Sequence, residues 1–160
     1  MDINNKTPIK LSRLESVSYC DDEIYRNKIN SKHTKIDVNL HSHGKIKNVN
    51  MLGSVYELKL YECVNIKDLS PLNSITVLKL HTCDKIKDVG YLRKLQKLTI
   101  SLSMTKFING IHLLKELKQL HIMDLNDERW KGINKKMTNE IKKLKEINPN
   151  VIIKFIYDFV

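Results

Sequence analysis

At 160 residues and 18.7 kDa, with 41% apolar and 29% charged residues, the chain matches one ordinary domain that buries its own core. No apolar run reaches bilayer-spanning length, and the polar start MDINNKTPIK lacks the apolar stretch of a secretory signal; a cytoplasmic protein, or one released into another cell's cytoplasm, is expected rather than a membrane protein. Three cysteines, an odd number with no CxxC pair, exclude a disulfide framework, and a net charge of +10 raises nucleic acid as a partner.

That charge is a weak guide. The basic residues are 24 Lys and only 4 Arg, and Ala is absent. Lys, Asn and Ile are spelled with A/T-rich codons, whereas Ala needs G and C. An AT-rich genome, whether of a large DNA virus, a protist or a low-GC bacterium, produces this skew without selection for a polyanion. Specific nucleic-acid readers also favour the bidentate guanidinium that is scarce here.

In chain order, the opening dozen residues read as loose. L-E-S-V-S-Y at 14–19 reads as a degenerate unit with Val17 and Tyr19 as its strand pair, so that residues 1–33 form an N-terminal cap. Regular units occupy 34–125. Alternating pairs Val38/Leu40, Leu58/Leu60, Leu78/Leu80 and Leu98/Ile100 start twenty residues apart, and Leu120/Ile122 follows after twenty-two. Between pairs the apolar positions continue in threes, as in Ile66, Leu69, Leu72 and Ile75. Alternation is the mark of a strand with one buried face; threes suit a 3₁₀-like return segment. One such unit cannot bury its stripe alone, but stacked units bury each other's. A helical bundle would give no reason for starts at strict intervals. The two extra residues lie in SLSMTKF, 101–107. From Asn126 the period breaks: NDERWKGINKKMTNEIKKLKEINPN reads as a helix region with Ile133, Met137, Ile141 and Leu144 on one stripe, stopped by Pro149. VIIKFIYDFV then supplies a last strand, with Val151, Ile153 and Phe155 on one face. Residues 126–160 are thus a C-terminal capping helix and strand.

V-Y-E-L-K-L-Y-E-C at 55–63 and I-T-V-L-K-L-H-T-C at 75–83 match L-x-x-L-x-L-x-x-N/C, and I-K-D-L-S-P-L at 66–72 is similar to short internalin-like repeats. The chain therefore resembles leucine-rich-repeat proteins. The resemblance implies an α/β solenoid: a right-handed superhelix with a parallel sheet on its concave face, short 3₁₀ or turn return segments, and the longer C-terminal helix as a cap. Cys63 and Cys83 fall at that family's inward Asn/Cys position, shared by His43, Ser103 and Leu125 in neighbouring units. Buried free thiols are expected there, although a Cys63–Cys83 disulfide is geometrically conceivable.

Chemistry-bearing constellations are missing. The sequence holds no GxSxG, P-loop, GxGxxG or HExxH. His41-Ser-His43 invites a metal reading, but His81 lies two units away and cannot join one zinc, so no metal and no cofactor are expected. Asp68 and Asp88, beside Lys67 and Lys87, read as turn and surface groups. The expectation is a non-enzymatic protein.

Residues between the core positions face solvent or a partner. One outward row runs Asp37, Glu57, Val77, Lys97, Gln119. The next two run Asn39, Lys59, Lys79, Thr99, His121 and His41, Tyr61, His81, Ser101, Met123. These last two rows are the candidate partner-binding residues, with Lys59, Tyr61, Lys79 and His81 at the centre and an acidic or mixed protein as the partner. The function expected is an adaptor, scaffold or recognition subunit, monomeric and cytoplasmic (in a host cell's cytoplasm if viral or an effector). The alternatives are a basic nucleic-acid-binding surface and a structural repeat protein without a ligand.

Overall fold

The computed structural model describes residues 7–42, 45–123 and 133–156. Seven strands form a single all-parallel sheet in chain order. They are β1 (Thr7–Lys10), β2 (His33–His41), β3 (Glu57–Tyr61), β4 (Val77–His81), β5 (Lys97–Ser101), β6 (Gln119–Met123) and β7 (Ile152–Ile156). Three helices accompany them: α1 (Arg13–Asp21), α2 (Glu23–Lys32) and α3 (Lys135–Ile147). The twenty-residue phase becomes register directly. Val38 pairs with Leu58, Leu58 with Leu78, Leu78 with Leu98, Leu98 with Leu120, and Leu120 with Ile153. Like apolar residues therefore sit side by side about 4.8 Å apart across each parallel pair.

Behind the sheet runs the wall made by the residues in threes. Single 3₁₀ turns form at Asn50–Leu52, Ser70–Leu72 and Ile111–Leu113. Ile66, Leu69, Leu72, Ile86, Val89 and Leu92 are wholly buried there and join the sheet's leucines in one core. Asp68 starts the Ser70 turn and Asp88 the bend at Gly90 by accepting the amides of Ser70 and Gly90 at 2.8 and 2.7 Å, so both work as turn groups. Gly110, at φ 77°, is the position where a side chain is barred: an added Cβ would lie 2.4 Å from Asp88 Oδ1.

At the bends after β2, β3 and β4 one residue turns left-handed: Ser42, Glu62 and Thr82, at φ 51, 54 and 50°. After Glu62 and Thr82 the next residue, Cys63 or Cys83, enters the core. Cys63 Sγ donates to the Leu40 and Tyr61 carbonyls, and Cys83 Sγ to those of Leu60 and His81. Both thiols are free and buried, as is Cys20. The hydrogen bond with Cys63, together with burial, raises the Cys83 pKa; burial pushes Cys20 up to about 12. In the fifth unit the insertion changes this geometry. Leu102–Lys106 coils into a 3₁₀ segment that buries Met104 and Thr105, while Ser103 is exposed rather than inward. His43 and Leu125, expected inward, lie outside the described residues, as does the start of the C-terminal helix region.

The amino end departs most from expectation. Residues 14–19 are not a degenerate strand unit. They form α1, because Ser12 and Glu15 close a reciprocal capping box around its first turn. Thr7–Lys10, expected to be loose, pair with β2 as the edge strand. Beyond β1, α1 closes the rest of the β2 edge. Ser16 Oγ accepts the Asn39 amide at 2.9 Å and Arg13 donates to the His41 carbonyl at 3.1 Å, so backbone groups that would invite strand addition are occupied. At the other end, α3 buries Met137 and Leu144, as its stripe requires. Asn134 caps it, and Glu140 accepts from the His112 amide while contacting the His112 ring. The chain then returns as β7.

Candidate partner-binding face

Alternation leaves every second strand residue on the face opposite the core, and parallel register lines these residues up in rows. His41, Tyr61 and His81 stand in one row on β2, β3 and β4. The His41 ring stacks on Tyr61 with centroids 5.8 Å apart, and Tyr61 meets His81 at 6.1 Å, tilted by 43°. The left-handed bend residues hold the row in place. Ser42 Oγ lies 2.9 Å from His41 Nδ1, Thr82 Oγ1 lies 3.1 Å from His81 Nδ1, and Ser42 also donates to Glu62. Arg13, Asn39, His41, Tyr61, Glu62 and His81 line a cleft of about 420 Å³. The Ser42 bond holds the Glu62 carboxyl below its usual range, with further help from the two imidazoles. Burial lowers the His81 pKa and raises that of Tyr61, so both rings are neutral at pH 7.

Beside the ladder the charges answer one another. Glu57 pairs with Lys59 at 3.2 Å and with Lys79 at 3.4 Å, all three mostly covered. Burial, then Glu57, raises the pKa of Asp37 in the same half. Burial lowers that of Lys79, against the pull of Glu57. The lysines offered from sequence as the positive centre are therefore already matched by a carboxylate of the face itself.

Towards β5 and β6 the face changes. Thr99, Ser101 and Met123 were expected to meet a partner, yet they are 4%, 5% and 4% exposed. Thr99 is short and lies in register between the longer Lys79 and His121. Ser101 sits where the inserted 3₁₀ segment begins and is bonded by the Thr82 amide and by Ser103 Oγ. Met123 is flanked in register by Ser101 and Ile156. Asn39 and His121 are half-buried. Three buried polar atoms on this row, Asn39 Oδ1, Thr99 Oγ1 and His121 Nε2, have no hydrogen-bond partner among the described residues. Burial lowers the His121 pKa, helped by the charges of Lys97, Lys154 and Lys79.

Arg13 and Glu62 shape the cleft but were not anticipated. Glu62 could have been found from its place just past the strand; Arg13 could not, because α1 was read as a strand. A second cleft, of about 400 Å³, lies on the return side, lined by Lys47, Asn48, Asn50, Asn65, Lys67, Asp68 and Lys85. Among the described residues no three His, Cys, Asp or Glu side chains are grouped to hold a metal ion, and no helix is long and apolar enough to cross a membrane. Comparison with known proteins returns no matching family model, no curated relative and no similar solved structure.

Proposed function

We propose that this chain is a leucine-rich-repeat solenoid that binds a protein partner through the outer face of its sheet, without catalysis of its own. The observation that carries the reading is the His41–Tyr61–His81 ladder at the floor of the Arg13–Glu62 cleft. Rings stacked on one another, with the two imidazoles held by bend hydroxyls, present preorganised contact area, and aromatic side chains of this kind supply much of the energy of protein interfaces. The repeat pattern agrees: side chains facing the core keep their type from unit to unit, and those on the outer face vary.

The test is direct. Replacing Tyr61 and His81 together by Ala should abolish capture of a protein partner from the native host while leaving the melting temperature within a few degrees of wild type. Unchanged capture would remove the ladder from the interface.

The nucleic-acid reading has one supporting feature, the lysine- and asparagine-lined cleft on the return wall. Binding there would weaken steeply between low and physiological salt and would be insensitive to Tyr61.

A further inference from the structure

We infer that the β5–β7 half of the face is a carboxylate subsite, in which Thr99, His121, Lys97 and Lys154 receive an acidic side chain of the protein partner. The inference rests on the strand-face reading and adds to it the chemistry of one contact. Its basis is a pair of mismatches on adjacent strands. Thr99 is 4% exposed, yet among the described residues its hydroxyl has no partner, and the Nε2 of His121, its register neighbour, has none either. Buried donors left in this state are costly and are normally met by protein, water or ligand. Around them the charge is also unmatched. Lys97 and Lys154 form no ion pair among the described residues, while Lys79, on the far side of Thr99, is already held by Glu57.

A carboxylate answers both mismatches. Its two oxygens accept from the Thr99 hydroxyl and from the His121 Nε2–H tautomer, which sit on strands about 4.8 Å apart, and its charge is met by the two lysines. The lysine stems are free to swing on the fast timescale of side-chain rotamers as it enters. A phosphate chain is the poorer occupant. Lying along the row, it would run against Asp37 and Glu57, which stand in register on β2 and β3. A single acidic side chain stays within the basic half while the rest of the partner covers the ring ladder.

The full chain, with labelled histidine rings, would be titrated with poly-L-glutamate and, separately, with a single-stranded DNA oligonucleotide. The His112 ring, on the return side beside Glu140, is the internal control. Poly-L-glutamate should shift the His121 resonances saturably and leave those of His112 in place. Thr99→Val and the double change Lys97→Gln/Lys154→Gln should each weaken that binding about tenfold, the expected worth of a hydrogen bond to a charged group. Lys154 is exposed and Thr99→Val removes only an unpaired hydroxyl, so both variants should fold, as a retained urea midpoint would show. A silent His121, equal binding by the variants, or a tighter His121 response to the oligonucleotide would each overturn the subsite. If that happens while capture still depends on Tyr61 and His81, the subsite fails and the strand-face reading stands. If the ladder test fails while His121 responds as expected, it is the ladder that is lost.

Discussion

Tyr61 and Thr99 lie on the same face of the same sheet, two strands apart, and their surroundings differ in kind. Around Tyr61 the rings stack, the bend hydroxyls hold them, and Glu57 answers the lysines beside them. Around Thr99 a hydroxyl and an imidazole nitrogen are buried without partners, and Lys97 and Lys154 have no counter-charge among the described residues. The core beneath is the same in both places. What separates them is the side chain each strand sends outward and the two-residue insertion after β5. A parallel sheet of repeated units thus fixes position while leaving charge balance free, and a face so built can be finished in one half and incomplete in the other.

The shared core is the first point at which this contrast could fail. Leu80→Ala and Ile122→Ala remove wholly buried side chains from the two halves, and each should cost about 2–5 kcal/mol in urea unfolding. One transition is expected for both; separate melting of the halves would show two cores. Ser16→Ala orphans the Asn39 amide at the edge of the finished half and should cost about 1–3 kcal/mol, read in the same way. Thr99→Val has the opposite sign: losing an unpaired buried hydroxyl should stabilise the free protein by about 1 kcal/mol, and destabilisation would mean that the hydroxyl has a partner. Glu57→Gln should make the first half resemble the second. It should lower stability by about 1 kcal/mol, because two mostly covered lysines lose their counter-charge, while strengthening binding of poly-L-glutamate.

The smallest effect is with pH. The folded pKa values of His81 and His121 lie below the ordinary histidine value of 6.5. Below that value the unfolded chain takes up more protons than the folded one, so stability present above about pH 6.5 falls as the pH drops through the folded values. His81→Gln and His121→Gln should each flatten the fall in melting temperature between pH 7 and 5.

The repeat was legible because burial enforces it. A twenty-residue phase in Leu58, Leu78 and Leu98 leaves only one register that keeps all three inside, and the sheet adopts it. The inward turn of Cys63 and Cys83 was legible for the same reason. The amino end was misread because Val17 and Tyr19 alternate like a strand, although Ser12-Arg13-Leu14-Glu15 carries a capping-box pattern that outweighs two alternating residues. On the outer face, sequence assigned Thr99, Ser101 and Met123 to the right side of the sheet but not to the right depth. Depth depends on the length of the register neighbours and on the course of the insertion, which no periodicity encodes. The pairing of Glu57 with Lys59 and Lys79 was likewise hidden, since the rows were read one at a time.

The central claim is that recognition belongs to the strand face and the partner is a protein. Its most direct test is affinity capture from the native host with two variants side by side, Tyr61→Ala/His81→Ala on the strand face and Lys47→Glu/Lys67→Glu on the return wall. The account predicts that the first loses a protein partner which the second retains. Retention by the first and loss by the second, with nucleic acid in the captured material, would contradict it.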